Sequence, residues 1–243
     1  MKAPLLELDR VSRRFGGLRA VNSVTFSVNR GEILGLIGPN GSGKTTAMNL
    51  ISGALRPDGG RIALDGTDIS GMAAHAVFHA GIGRTFQLVR VVQHLTVREN
   101  VLAGIAFVAH RLGFREMERR VQECLTRVEL ESSLDRPASE LTYIDQKRLE
   151  LARAIVAQPK LLLLDEWLAG LSTAELHTGI QLIRSLNQKG STIIMIEHVM
   201  SAISNLCDRC VVMNAGVKIA EGAPQQVLVD AAVRSAYLGT ENA

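Results

Sequence analysis

Hydrophobic positions along this chain follow two periods, and the switches between them divide it into elements. Leu6–Asp9 and Val24–Val28 alternate apolar with polar residues, as half-buried strands do. Gly16 with Gly17, and Asn29-Arg30-Gly31, supply turns around them. Ile33–Ile37 is a short continuous apolar run. Beyond it Ala47, Leu50, Ile51, Ala54 and Leu55 recur at helical spacing, which predicts a helix with that buried stripe. Arg56–Gly60 reads as a turn, and Arg61–Leu64 as a short strand ending in the Asp65-Gly66 turn.

From about Thr96 to Glu131 the spacing becomes helical, Pro137 interrupts it, and helix resumes over Gln146–Ala154. This predicts a helical insertion between two parts of an α/β core. Leu161–Leu164 and Thr192–Glu197 are largely apolar runs, the first flanked by turn signals, with the pattern of strands buried on both faces of a parallel sheet. Thr173–Lys189 between them is helical and ends at Gly190 in the position that follows a helix C-cap. Strand, helix and strand make a crossover unit beside Ile33–Ile37. A hairpin around Asn214-Ala215-Gly216 and a short helix close the chain.

Composition narrows the class. A chain of 243 residues, 47% hydrophobic, suits one large α/β domain or a core with an inserted subdomain. Net charge is +3, from 27 basic and 24 acidic residues, too balanced for a nucleic-acid groove. The basic cluster Arg111–Arg120 alternates with glutamates and reads as a solvated helix face. There is no run of 18 apolar residues, and Met1–Pro4 does not open a signal peptide, so a soluble chain is expected, with any membrane role arising through partners. Cys207 and Cys210 have the spacing of half a zinc site or a redox pair. No second Cys/His pair completes a metal site, and Cys210 opens an apolar strand, so they are expected to be packing residues in a reducing compartment.

The candidate chemistry begins at Gly38-Pro39-Asn40-Gly41-Ser42-Gly43-Lys44-Thr45-Thr46, directly after the first apolar run. The spacing is that of the loop that wraps a nucleotide's phosphates. Glycines allow successive N–H groups to close around anionic oxygens, Lys44 adds a positive charge for the β- and γ-phosphates, and the Thr45 hydroxyl is an Mg²⁺ ligand. The helix that follows points its N-terminus at the same phosphates. Asp165-Glu166 lies at the carboxyl end of a buried strand, where an open α/β sheet binds ligands. Asp165 is the candidate to hold Mg²⁺ through water, and Glu166 to deprotonate the attacking nucleophile.

Taken in this order, the segments resemble the ATP-binding subunits of ABC transporters over essentially the whole chain. The resemblance implies an α/β fold with a P-loop NTPase core of mostly parallel sheet, an N-terminal antiparallel β part and an inserted α-helical subdomain. The core is expected over about 1–87 and 153–243, and the insertion over about 88–152. The resemblance also gives roles. Phe15 stacks on adenine, and Gln87, in Arg84-Thr85-Phe86-Gln87, touches Mg²⁺ and couples to the membrane partner. Leu141, Thr142, Tyr143, Ile144 and Asp145 occupy the signature slot that serves a partner's ATP, and His198 reaches the γ-phosphate. ATP is then sandwiched between two subunits, a homodimer or, as in branched-chain importers, a heterodimer. Two membrane-spanning permeases and a periplasmic or extracellular substrate-binding protein complete the complex, at the cytoplasmic face of the membrane.

Finer details, Arg13–Gly17, Ala20-Val21-Asn22, Gly83–Gln87, Leu206–Arg209 and Ala236–Gly239, resemble the branched-chain amino acid importers. Urea importers and lipopolysaccharide exporters share parts of the pattern, and a subunit that binds ATP without hydrolysing it is a further alternative. Three departures stand out. Ile144 fills a glycine slot, where a β-branched residue resists positive φ and adds bulk, so the partner's composite site is expected to be impaired. Trp167 replaces a proline, and Ser172 stands near where an Asp or Asn is common.

Overall fold

The computed structural model describes residues 3–106 and 113–238, so Met1, Lys2, Arg111 and Gly239 lie outside the described residues. In chain order the elements are β1 (Leu6–Phe15), β2 (Leu18–Val28), β3 (Ile33–Ile37), α1 (Lys44–Ile51), β4 (Gly59–Leu64), β5 (Thr67–Asp68), α2 (Ala74–Ala80) and β6 (Ile82–Arg84). Then follow α3 (Val97–Ile105), α4 (Phe114–Arg127), α5 (Tyr143–Ile155), β7 (Leu161–Asp165), α6 (Thr173–Gln188) and β8 (Thr192–Ile196). The last are α7 (Met200–Leu206), β9 (Arg209–Asn214), β10 (Val217–Gly222), α8 (Pro224–Val227) and α9 (Ala231–Leu238).

The strands form two sheets. An antiparallel one has the order β2-β1-β4-β5, and a six-stranded one has the order β10-β9-β3-β8-β7-β6. In the second, β9, β3, β8, β7 and β6 run parallel and β10 adds an antiparallel edge through the predicted Asn214–Gly216 hairpin. Side chains alternate across a strand, so a sheet covered on both faces needs apolar residues at every position. Leu34, Leu36, Leu161, Leu163, Ile194 and Ile196 enter a core shared with α1 and the antiparallel sheet. Their neighbours Ile33, Ile37, Leu162, Leu164, Ile193 and Met195 enter a second core under the helices. The inserted helices α3, α4 and α5 come between β6 and β7 in the chain and pack against this second core.

Two local readings are corrected. α1 stops at Ile51, because Gly53 turns left-handed at φ 71° just past the Ser52 cap. Its buried stripe is therefore Ala47, Met48, Leu50 and Ile51; Ala54 is exposed, and Leu55 packs on the core from the loop. The sequence pattern also gave no sign of α2 or of the edge strand β6, whose Ile82-Gly83-Arg84 is too short to show a period. The helix stop at Gly190 holds, with Gly190 following α6 at φ 96°. Thr96 caps α3 with Glu99 completing a capping box, a local signal additional to the helical spacing.

Cys207 and Cys210 are buried free thiols facing Gly35 of β3, and no group of three or more His, Cys, Asp or Glu among the described residues is arranged to hold a metal ion. They are packing residues. No helix among the described residues is long and apolar enough to cross a membrane. Because Leu163 is fully buried in the middle of β7, Leu163→Ala is expected to destabilise by about 2–5 kcal/mol in denaturant unfolding. Leu18→Ala, at a side chain 67% exposed, should stay within about 0.5 kcal/mol.

Candidate functional site

The carboxyl ends of β3, β8 and β7 lie side by side, and each delivers polar residues to one edge of the sheet. From β3 comes the glycine loop. Gly43 sits at φ 102°, and a Cβ there would meet the Ala20 carbonyl at 2.2 Å, so only glycine lets the loop seat against β2. Gly216 in the β9–β10 turn donates to the Ser42 carbonyl at 3.0 Å and accepts from Asn22 at 2.8 Å, fastening the loop from the other side. Pro39 is buried; Asn40, Gly41 and Thr45 face outward; and Thr46 is half-buried in the first turn of α1, which presents unpaired N–H groups. Lys44 is buried, and its Nζ donates to the Gly38 and Pro39 carbonyls at 2.8 and 2.9 Å. Burial pulls its pKa down, against the opposing pull of the Glu166 and Asp165 charges. The Ser42 hydroxyl is buried without a protein partner.

From β7 come Asp165 and Glu166. The Glu166 backbone is left-handed at φ 51°, a costly conformation for a non-glycine residue, held in part by its N–H bond to the Ile196 carbonyl at 2.9 Å. Its carboxylate is gripped on both oxygens. Gln87 Nε2 donates to Oε2 at 2.8 Å, and His198 Nε2 lies 3.0 Å from Oε1. The structure therefore brings Gln87, Glu166 and His198 together from three parts of the chain. Phe15 lies at the exposed end of β1, opposite Leu18, with the Arg13 guanidinium 5.0 Å over its ring.

The signature-slot residues form the start of α5. Leu141 is buried, and Thr142 caps the helix, its hydroxyl accepting from the Asp145 N–H at 3.3 Å and donating to the Asp145 carboxylate at 2.8 Å. Tyr143 stands out from the helix against Gly170. Ile144 is helical, is not among the residues with positive φ, and packs its side chain against the second core. The expected backbone strain at Ile144 therefore does not arise, because this slot is the second position of a helix. Ser172 caps α6 with Glu175. Trp167 is fully buried, and its indole N–H reaches the Lys147 carbonyl of α5 at 3.1 Å, joining the turn after Glu166 to that helix.

Three charged residues here escaped the sequence reading. Arg84 bonds the Asp165 carboxylate at 2.8 Å. Glu150 of α5, 5% exposed, accepts from the Phe86 and Arg90 N–H groups at 3.2 and 3.3 Å, holding the loop that carries Gln87. Glu197 accepts from the Leu168 N–H at 2.7 Å. The only signal was a charge inside an otherwise apolar or helical stretch. Beside this loop, α2, β6, α3 and α5 enclose a groove of about 510 Å³, lined by Phe78, Phe86, Ala103, Arg90, Arg153 and Glu150 among others.

Burial pushes the Glu197 carboxyl from an ordinary 4.5 up to about 7. The folded state then holds this proton more tightly than the unfolded chain does. The stability Glu197 contributes is present below about pH 4.5 and is lost as pH rises through about 7. Relative to Glu197→Gln, the wild-type melting temperature should fall between pH 5 and pH 7.5 and level off above. A difference that does not vary with pH would contradict this reading.

The ABC transporter family matches residues 21–169, and the branched-chain amino acid ATP-binding cassette transporter family matches residues 217–243. The chain is 38% identical to the high-affinity branched-chain amino acid transport ATP-binding protein BraF of Pseudomonas aeruginosa, over 98% of this chain and 99% of that protein. It is 39% identical, with the same coverage, to LivG of Escherichia coli, which carries the same description. The lipopolysaccharide export system ATP-binding protein LptB of Escherichia coli is 32% identical over 97% of this chain. Among solved structures, the ADP conformation of the ATP-binding cassette MJ1267 superposes with a TM-score of 0.87 at 32% identity, covering 98% of this chain and all of that one. With its glycine loop, acidic pair and inserted helices, the chain belongs to the ABC transporter family, as one of its ATP-binding cassettes.

Proposed function

We propose that this protein is the ATP-hydrolysing subunit of an importer for branched-chain or other hydrophobic amino acids. The observation that carries the chemistry is the convergence of Gln87 and His198 on Glu166, with Lys44 close enough to feel both acidic charges. Lys44 and the N–H groups of Gly38–Thr46 bind the phosphates, and Phe15 stacks on the adenine. Glu166 takes the proton of the attacking water. Gln87 fixes one of its oxygens, and His198 exchanges its bond to the other for the γ-phosphate. The substrate class follows the 38–39% identity to BraF and LivG and the match over residues 217–243, ahead of the 32% identity to LptB.

The donor set fits Mg²⁺. The Thr45 hydroxyl, the Asp165 carboxylate and Gln87 are hard oxygen donors, and Asp165 commits only Oδ2 to Arg84. So few carboxylates leave room for phosphates and water, as this ion prefers. When bound, Mg²⁺ neutralises charge that develops on the β- and γ-phosphates.

In a dimer, Thr142 and the first N–H groups of α5 face the partner's nucleotide, and the partner is a second ATP-binding subunit. The groove beside Gln87 receives the membrane-spanning permeases. Phe78, Phe86 and Ala103 give it apolar walls and Arg90, Arg153 and Glu150 charged ones, which suits a protein segment carrying both kinds of side chain. This puts the protein at the cytoplasmic face of the membrane, with a substrate-binding protein on the opposite side.

Lys44→Ala should weaken ATP binding at least about tenfold in calorimetry, or about 1.4 kcal/mol. Glu166→Gln should keep ATP binding but accumulate an ATP-bound dimer on size exclusion. Undiminished turnover in the assembled transporter would remove Glu166 as the base. Because Ile144 is accommodated in α5, Ile144→Gly should leave turnover of the assembled complex unchanged or lower it. A clear rise in rate would instead mean that the isoleucine impairs the partner's site.

A further inference from the structure

Arg84 stands where two lines of the structure meet. It is the last residue of the edge strand β6, and its side chain is 9% exposed. The guanidinium lies 5.1 Å over the Phe86 ring and has three hydrogen-bond partners. NH2 donates to Asp165 Oδ2 at 2.8 Å, while NH1 donates to Asn49 Oδ1 at 2.7 Å and to Ser52 Oγ at 2.8 Å. Asn49 is four residues after Thr45 on α1, and Ser52 three residues further, so Thr45, Asn49 and Ser52 form one stripe of the helix. The three bonds therefore join the helix that opens with Thr45 to the strand end that carries Asp165. No other side chain among the described residues bonds both elements.

A buried ion pair is a poor way to brace a fold. Desolvating both charges offsets most of their attraction, and an apolar pair of the same size does as well or better. What a guanidinium adds is geometry, because its planar fork fixes several acceptors at once, which an ammonium cannot do. We propose that Arg84 is a positioning residue for the cation that accompanies the nucleotide. By holding Asp165 Oδ2 and the Asn49–Ser52 face of α1 together, it leaves Oδ1 of Asp165 uncommitted and fixes the strand end relative to the helix that Thr45 opens. The proposal rests on the reading above, in which Thr45 and Asp165 serve Mg²⁺. It has a rival of opposite sign. As a fixed positive charge next to the carboxylate, Arg84 would repel the ion, and its removal would tighten Mg²⁺ binding.

The test uses the full chain and three measurements. These are the affinity of a fluorescent ATP analogue in excess EDTA, the Mg²⁺ midpoint for its tightened binding and for ATP hydrolysis, and the melting temperature. Arg84→Met should keep the EDTA affinity within about twofold while raising the Mg²⁺ midpoint by about 10- to 100-fold, the loss usual for a side chain that orients a metal ligand. Arg84→Lys keeps the charge and loses the fork, so its midpoint should also rise, by a smaller factor. Should Arg84→Met not fold, Asn49→Ala removes the shorter of the two ties to the α1 face, leaves the Asp165 bond in place, and should still raise the midpoint. Midpoints unmoved while the melting temperature falls would make the pair a brace and overturn the proposal. A lower midpoint in Arg84→Met would overturn it in favour of repulsion. If the wild type does not bind the analogue, the nucleotide reading itself fails; if it binds with no Mg²⁺ dependence, the assignment of Thr45 and Asp165 to Mg²⁺ fails and this proposal with it; a wild-type dependence with unmoved variants sinks this proposal alone.

Discussion

Burial of the six-stranded sheet on both faces is the constraint on which the rest of the structure depends. Along β3, β7 and β8 every position is closed to solvent, so a polar side chain in mid-strand would be stranded without water or partner. Chemistry is thereby confined to the strand ends. Because β3, β8 and β7 are parallel neighbours, their carboxyl ends open at the same edge. The glycine loop, His198 and the Asp165-Glu166 pair meet there because the core excludes them from anywhere else.

Electrostatic balance follows from that crowding. Asp165 and Glu166 are adjacent carboxylates, and each has its own arrangement of partners. Asp165 is tied to Arg84, while Glu166 is held by the neutral amide of Gln87 and by His198. Lys44 rests on the carbonyls of its own loop, with both acidic charges near enough to support its protonated form. A protonated lysine and an oriented carboxylate at one edge are what phosphate binding and water activation require.

The connections around this edge are tied down by buried side chains. Trp167 pins the turn after Glu166 to α5, Glu197 holds the same turn at Leu168, and Glu150 of α5 holds the loop on either side of Gln87. α5 therefore touches the segments carrying Gln87 and Glu166 while its own first turn carries Thr142 and Tyr143. A displacement of α5 would be felt at the acidic pair through these bonds. Burial of ionisable groups such as Glu150 and Glu197, which raises the pKa of both, is the energetic cost of this linkage.

Much of this was legible in the residues alone, for a local reason. The glycine loop announces itself because left-handed turns and close backbone approach need glycine at particular spacings, and two-faced burial of a strand shows as an unbroken apolar run. Helix caps at Thr96 and Ser172 and the hairpin at Asn214–Gly216 are likewise choices made within a few residues. The short strand β6 carried no such signal, since three residues cannot display a period. The early end of α1 has a local cause in Gly53, which the apolar spacing overran, while the unstrained backbone of Ile144 follows from its place in the first turn of α5. The bonds that organise the site lay furthest out of reach. Arg84 and Asp165 are 81 residues apart, Gln87 and Glu166 79, and Trp167 and Lys147 20. Nothing in the local pattern of a charge or an indole names its partner across such a distance. That pairing exists only once two sheets and their helices have buried enough apolar surface to bring the strand ends together, and tertiary structure alone decided it.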